Sequence, residues 1–261
     1  MTVTRPAPSW TELVGEASAL LAAAGQHGLE VRLVGSTAIR LHCDAAAQAM
    51  DRIQRSAKDI DLVVRSSDRK RLRAMIEERG FEIDRDLLVA MEGTRYSFSH
   101  PERGIEIDVF VDRLEFCHTI ELGDRFGLHP HTIPVEDLLL QKLQVHDITH
   151  NDLVDAVVVL ATHELREHSE HQEEIDPRYI GELLGRDWGF HRTVTENMKR
   201  VETLLGNGAV DDALATTAQE RLSMLREAID AARKSRTWRL RARVGERMQW
   251  WEDVDDRRDT Y

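Results

Sequence analysis

Residues 58–65 read Lys58-Asp59-Ile60-Asp61-Leu62-Val63-Val64-Arg65. The apolar and β-branched run bounded by charged residues predicts a strand. Side chains alternate faces along a strand, so Asp59 and Asp61 point one way and Ile60, Leu62 and Val64 the other. Two carboxylates about 7 Å apart on one face repel each other unless a positive charge lies between them. A divalent cation is the usual answer. Magnesium takes hard oxygen ligands, commonly one or two carboxylates together with phosphate oxygens. Taken alone, the same alternation is what any half-exposed strand shows.

A second strand of the same character follows in Ile105-Glu106-Ile107-Asp108-Val109-Phe110-Val111-Asp112. Ile105, Ile107, Val109 and Val111 form an apolar face, and Glu106, Asp108 and Asp112 lie on the opposite one. If the two strands are neighbours, Asp108 reaches the site of Asp59 and Asp61. Upstream, Glu30 to Val34 is predicted as a short strand ending at Gly35, followed by Ser36 and a helix from about Thr37 to Ile53. Glycine lets the backbone approach a ligand closely, and the amides at a helix N-terminus attract phosphate. The Ser36 hydroxyl can add a hydrogen bond to a phosphate oxygen or orient a metal-bound water. A serine cap after a turn glycine is also a purely structural arrangement.

The remaining punctuation sorts the chain into two parts. Ser9 is a plausible cap for a first helix reaching about Gly28, and Ser66-Ser67-Asp68 caps another that Gly80 ends. Phe81 to about Asp86 and Arg95 to Ser99 are predicted strands. Beyond Pro134, segments starting near Val135, Asp152, Pro177, Asp211 and Glu220 have helical length and spacing, and no strand is expected after about Ile133. The expected class is therefore α+β. Residues 1–133 form a small mixed sheet flanked by helices, and residues 134–261 form a helical portion. The most polar stretch, Glu164 to Asp176, is the expected loop or hinge.

The order strand, Gly-Ser, helix, Asp-x-Asp strand, helix, later single-Asp strand resembles the DNA polymerase β-type nucleotidyltransferase superfamily. The matching residues are Gly35-Ser36, Asp59-Ile60-Asp61 and Asp108, over roughly residues 31–112. Downstream, Thr132 to Leu143 with its Lys142-Leu143 pair, then Asp152-Leu153-Val154-Asp155, looks like the AbiEii-type abortive-infection toxins. That extends the similarity to about residue 165. The resemblance implies metal binding by Asp59, Asp61 and Asp108, with two magnesium ions and manganese as a substitute. It implies β- and γ-phosphate binding by Gly35 and Ser36. It also places Lys142 and Asp152 in the active site, with Asp155 nearby. A lysine there would neutralise triphosphate charge as it shifts in the transition state. The structural alternatives are an exposed helix face for Lys142 and a helix cap for Asp152. The chain departs from the family at Thr149, His150 and Asn151, where arginines often precede the Asp-Leu-x-Asp segment; this puts acceptor contacts in question more than the metal site.

Bulk properties bound the function. The 261 residues are 41% hydrophobic and 31% charged, values of a globular protein with one large domain or two smaller ones. No apolar run reaches the ~18 residues of a membrane span. Met1 to Pro8 lacks the layout of a signal peptide, and Cys43 and Cys117 form no metal or redox spacing. A cytoplasmic setting without membrane contact is expected. The net charge of −12 would repel nucleic acid if it were uniform, but Arg233 to Arg247 carries seven cations against Glu246 alone. Those cations are interleaved with Trp238 and followed by Trp250 and Trp251, which suits a polynucleotide acceptor. The plainer expectation is a helix burying Trp238, Leu240, Val244 and Met248. Among the 12 histidines, His146 and His150 have zinc-compatible i, i+4 spacing. A surface or polar-network role fits them better. Arg40, His42 and Arg65 are read as solvated surface groups.

Three functions follow as expectations. The first is a toxin-like enzyme that transfers a nucleoside monophosphate from a nucleoside triphosphate to RNA, tRNA above all, with a cognate antitoxin as partner. The second is a small-molecule transferase of aminoglycoside type, which the acidic surface favours because aminoglycosides are cations. The third is a degenerate, non-enzymatic binding module; three intact acidic positions argue against it.

Overall fold

In the computed structural model the described residues are 7–51, 59–167 and 172–253. Contacts divide the chain into two compact units, residues 1–114 with 121–134, and residues 115–120 with 135–261. The class is α+β, with a mixed five-stranded sheet and helices around it. No helix among the described residues is long and apolar enough to cross a membrane.

In the first unit, α1 (Trp10–Gln26) starts in a reciprocal cap: the Glu12 amide donates to Ser9 Oγ, and the Ser9 amide donates to the Glu12 carboxylate. Its buried stripe is Leu13, Ala17, Leu20 and Ala24, the i, i+4, i+7 spacing of one helix face. There follow β1 (Val31–Val34), α2 (Gly35–His42), α3 (Asp44–Met50), β2 (Asp59–Val64), α4 (Arg69–Glu78), β3 (Glu82–Ile83) and α5 (Arg85–Ala90). Then come β4 (Arg95–Ser99) and β5 (Glu106–Val111), and the short hairpin of β6 (Arg113–Glu115) and β7 (Thr119–Glu121) has residues in each of the two units. The main sheet has the order β1-β2-β5-β4-β3. Strands β2 and β5 run parallel, and every other pairing is antiparallel. The apolar faces of β2 and β5 are fully buried: Ile60, Leu62, Ile107 and Val109 have no exposed surface. Truncating any of them to alanine would cost about 2–5 kcal/mol.

Three local expectations are corrected. The helix expected from Thr37 onward is two helices, broken at Cys43, whose φ of −121° leaves helical geometry; residues 52–58, including Ile53 and Lys58, lie outside the described residues. The break coincides with a buried cation. Arg40 is 7% exposed, pairs with both Asp44 and Asp51, and lies against the Trp10 ring, so it is no solvated surface charge. His42 likewise faces inward and meets the Thr132 hydroxyl at 2.7 Å. The strand expected over Phe81 to Asp86 is only two residues long, because Asp84 accepts from the amides of Asp86 and Leu87 and starts α5.

The second unit contains α6 (Val135–Leu143), α7 (His150–Thr162), α8 (Pro177–Leu184), α9 (Trp188–Gly206), α10 (Asp212–Ala231) and α11 (Arg236–Val244). All nine residues of α6 are buried. The free carbonyls at its C-terminal end are satisfied by Asn197 of α9, which donates to Leu143 O and Val145 O at 2.8 and 2.7 Å. Helix α10 runs unbroken through Glu220, where a separate helix was expected. Helix α9 was not expected, although Asp187 caps it and Phe190, Val194, Asn197, Val201 and Leu204 mark a buried face. The core reading of α11 is corrected: Leu240, Val244 and Met248 are 59%, 36% and 63% exposed.

Candidate metal and nucleotide site

The register of β2 against β5 brings the acidic residues together. Asp61 stands opposite Asp108, and Asp59 opposite Glu106. Residues in register on parallel neighbours share a face, so the side chains of Asp59, Asp61 and Asp108 converge. Carboxylate oxygens of these three lie within 4.8 Å of one another. Asp108 is 2% exposed, and the other two are half-buried. Like charges this close in a partly dry setting favour a cation between them. The donor set is all carboxylate oxygen, which is what magnesium and manganese bind. The residues therefore fit such an ion.

The turn after β1 is built around Asp61. Val34 pairs with Asp61 across the sheet, so the next residue, Gly35, lies beside its carboxylate. Gly35 has φ +69°, and a Cβ there would come within 2.1 Å of Asp61 Oδ2. Both the backbone conformation and the space demand glycine. Ser36 follows in the first turn of α2, half-buried. Thr37 Oγ1 donates to the Asp59 carbonyl at 3.1 Å and ties this turn to β2. The Gly-Ser turn and the Asp-x-Asp strand are thus one piece of structure.

Two features of this unit differ from the sequence reading. Asp112 is not on the acidic face; it has φ +63°, and its carboxylate accepts from the Ser66 amide at 2.9 Å, closing a turn. Arg95 of β4 reaches Asp108 Oδ2 at 3.2 Å while its guanidinium lies 5.0 Å from the Phe110 ring centre. Sequence reasoning passed over Arg95. Its signal was parity, since Arg95 pairs with Phe110 and therefore shares the face of Asp108, but only the strand register reveals that.

In the second unit, Lys142 Nζ lies 3.0 Å from Asp152 Oδ1 and 2.9 Å from Asp155 Oδ2. Burial works against its charge, yet Asp155 and Asp152 outweigh that and raise its pKa above the usual lysine range. Burial likewise opposes the Asp152 charge, and Lys142 with Thr149 more than compensates, holding its pKa below the usual range. The exposed-face reading of Lys142 is corrected, since it is 8% exposed. Asp152 is not the cap of α7. Thr149 caps it by accepting from the Asp152 amide, and its hydroxyl donates to Asp152 Oδ2 at 2.7 Å. His146 precedes α7 in a loop and stacks on Trp251 at 3.6 Å, so it shares no helix turn with His150. Of the residues singled out in the sequence, Gly35, Ser36, Asp59, Asp61 and Asp108 cluster in the first unit, and Lys142, Asp152 and Asp155 in the second.

No family model matches the chain, and no curated protein matches it in sequence.

Proposed function

We propose that this protein is a metal-dependent nucleotidyltransferase that moves a nucleoside monophosphate from a nucleoside triphosphate to an acceptor hydroxyl, with RNA such as tRNA as the acceptor. The observation that carries this reading is the convergence of Asp59, Asp61 and Asp108 against a Gly35-Ser36 turn that opens a helix. A carboxylate trio alone is common. A trio pressed against an anion-binding helix start is what a metal–triphosphate complex needs.

Asp59, Asp61 and Asp108 would hold the ions. When bound, a pair of divalent ions supplies positive charge to the attacking and leaving oxygens of an in-line displacement. The Gly35 and Ser36 amides, at the positive end of α2, would hold the β- and γ-phosphates and orient the α-phosphorus for attack. Asp108 would draw the proton from the acceptor hydroxyl. The acceptor oxygen then bonds to the α-phosphorus, the bond to the β-phosphate oxygen breaks, and pyrophosphate leaves. Asp155 and Asp152 raise the Lys142 pKa, which favours the charged form that phosphate neutralisation needs; its part in transfer is a proposal carried by the family resemblance.

The test uses purified protein, magnesium, each of four α-labelled nucleoside triphosphates and total bacterial RNA, beside Asp61→Ala. Label in RNA with the unmutated protein only, with a loss on the order of 10²–10³-fold or more in the variant, is the expected result. Equal turnover by Asp61→Ala would remove the metal assignment. Magnesium-dependent nucleotide binding without label in RNA would redirect the acceptor to a small cation such as an aminoglycoside, which the −12 net charge favours.

A further inference from the structure

The second unit has an open pocket of about 690 Å³ between α9 and α11, walled by Trp188, His191, Arg192, Trp238, Arg243 and Arg247. Two indoles and three guanidiniums line this space, with Glu246 as the one acid among them and Arg192 paired to it. Their placement follows from the turn after α11. Gly245 has φ +60°, which reverses the chain and brings Glu246 and Arg247 back toward α9, where Glu246 pairs with Arg192 at 2.7 Å. Arg241 rigidifies that turn by donating to the carbonyls of Gly245 and Met248, and its guanidinium covers one side of Trp188 at 4.7 Å. The edge of His191 meets Trp238 at 5.3 Å. Burial, with Lys234 beside it, lowers the His191 pKa to about 4, so the ring is neutral at physiological pH.

Two buried donors in this wall lack an acceptor. Among the described residues, Arg192 Nε and Trp238 Nε1 make no hydrogen bond. Buried N–H groups without partners are costly and mark this wall as incompletely satisfied. The basic surface also continues past the pocket. No acid occurs from Arg233 to Gly245, and Arg236, Arg239 and Arg243 are exposed at the i, i+3, i+7 spacing of one face of α11. That row spans ~10 Å at 1.5 Å per residue, longer than one phosphate group.

From these features we propose that the α9–α11 pocket binds a single-stranded polynucleotide, with a base against the indoles and successive phosphates along the arginines of α11. The recognition chemistry is aromatic stacking inside a cationic groove, which tolerates any base. A mononucleotide would leave the arginine row idle, and a base-free polyanion would leave the indoles idle. The proposal is independent of the transfer reaction: a protein that binds polynucleotide here yet transfers nothing would overturn the reading above and leave this one standing.

The test is fluorescence anisotropy with end-labelled twelve-nucleotide RNA and DNA oligomers of mixed sequence, on the full chain, across a salt series. Binding of either oligomer is expected, and the relative affinity of the two names the natural strand. The Arg243→Gln/Arg247→Gln double variant should bind on the order of tenfold more weakly, with a salt slope reduced by about 1–2. Trp238→Leu should lose about tenfold and Trp238→Phe should recover most of it, since phenylalanine still stacks. Each variant is melted first; the two arginines are exposed, so that pair tests the proposal even if Trp238→Leu unfolds. The proposal is overturned if neither oligomer binds, if the arginine variant binds normally, if folded Trp238→Leu binds normally, or if inorganic polyphosphate competes as well as the oligomers.

Discussion

Two charged clusters in this protein are built on opposite plans. In the first unit, carboxylates from two parallel strands face one another, with Arg95 reaching Asp108 from a third strand. In the second, an ammonium sits between two carboxylates of one helix, with Thr149 and the start of α7 stabilising Asp152. The first gathers three carboxylates around one guanidinium and keeps the oxygen donor set of a divalent cation. The second balances its two carboxylates with one lysine. Buried charge of the first kind costs stability and persists where function uses it, whereas the second locks α6 to α7 whatever else it does.

Breaking the second cluster should have the largest effect on stability. Lys142→Met removes the ammonium from between Asp152 and Asp155, and urea denaturation should show a loss of about 3–5 kcal/mol. Asp61→Asn should by contrast melt at or above the unmutated temperature, because it removes a repelling charge. A variant pair with the reverse order of stabilities would invalidate the distinction.

A divalent cation sharpens the same contrast. Magnesium at 100 times its dissociation constant should stabilise the protein by about 2.7 kcal/mol, read as a rise in melting temperature. Asp61→Asn should abolish the shift and Lys142→Met should retain it. An equal magnesium shift in Asp61→Asn would place the ion elsewhere.

The smallest effect concerns pH. Burial lowers the His118 pKa to about 4 in the folded state, opposed by Asp187. The unfolded chain therefore binds the proton first, so the stability of the neutral ring is complete above pH 6.5 and falls as pH drops toward 4. Between pH 7 and 5.5 the loss should be about 1.2 kcal/mol, and His118→Gln should lack that component. Coincident pH–stability curves for the two proteins would show that His118 is not held neutral.

Much of this was readable from short-range pattern. The alternation in Asp59 to Val64 and Ile105 to Val111 encodes two strands with one apolar face each, and the caps at Ser9 and Asp211 start the helices that follow them. Gly35 before Ser36 marks the turn, since its positive φ is a property of that one residue. These features depend on dihedral preferences and on neighbours within a helical turn or a pleat. Helix α9 carries an equally local signal in its Asp187 cap and apolar spacing.

What only the tertiary structure decided are pairings between distant positions. The parallel register that sets Asp61 beside Asp108 joins residues 47 apart, and a shift of one would have turned Asp108 to the other face. Arg95 on Asp108, Arg40 on Asp51 and Lys142 between Asp152 and Asp155 are charges whose fate depends on which partner arrives and on how much water leaves. The exposure of α11 is of the same kind: its sequence suits a packed helix and a solvated one equally, and only the position of its neighbours leaves Leu240 and Met248 exposed. Local preference writes the elements; burial and charge neutralisation act through space, and the sequence of a single segment does not contain them.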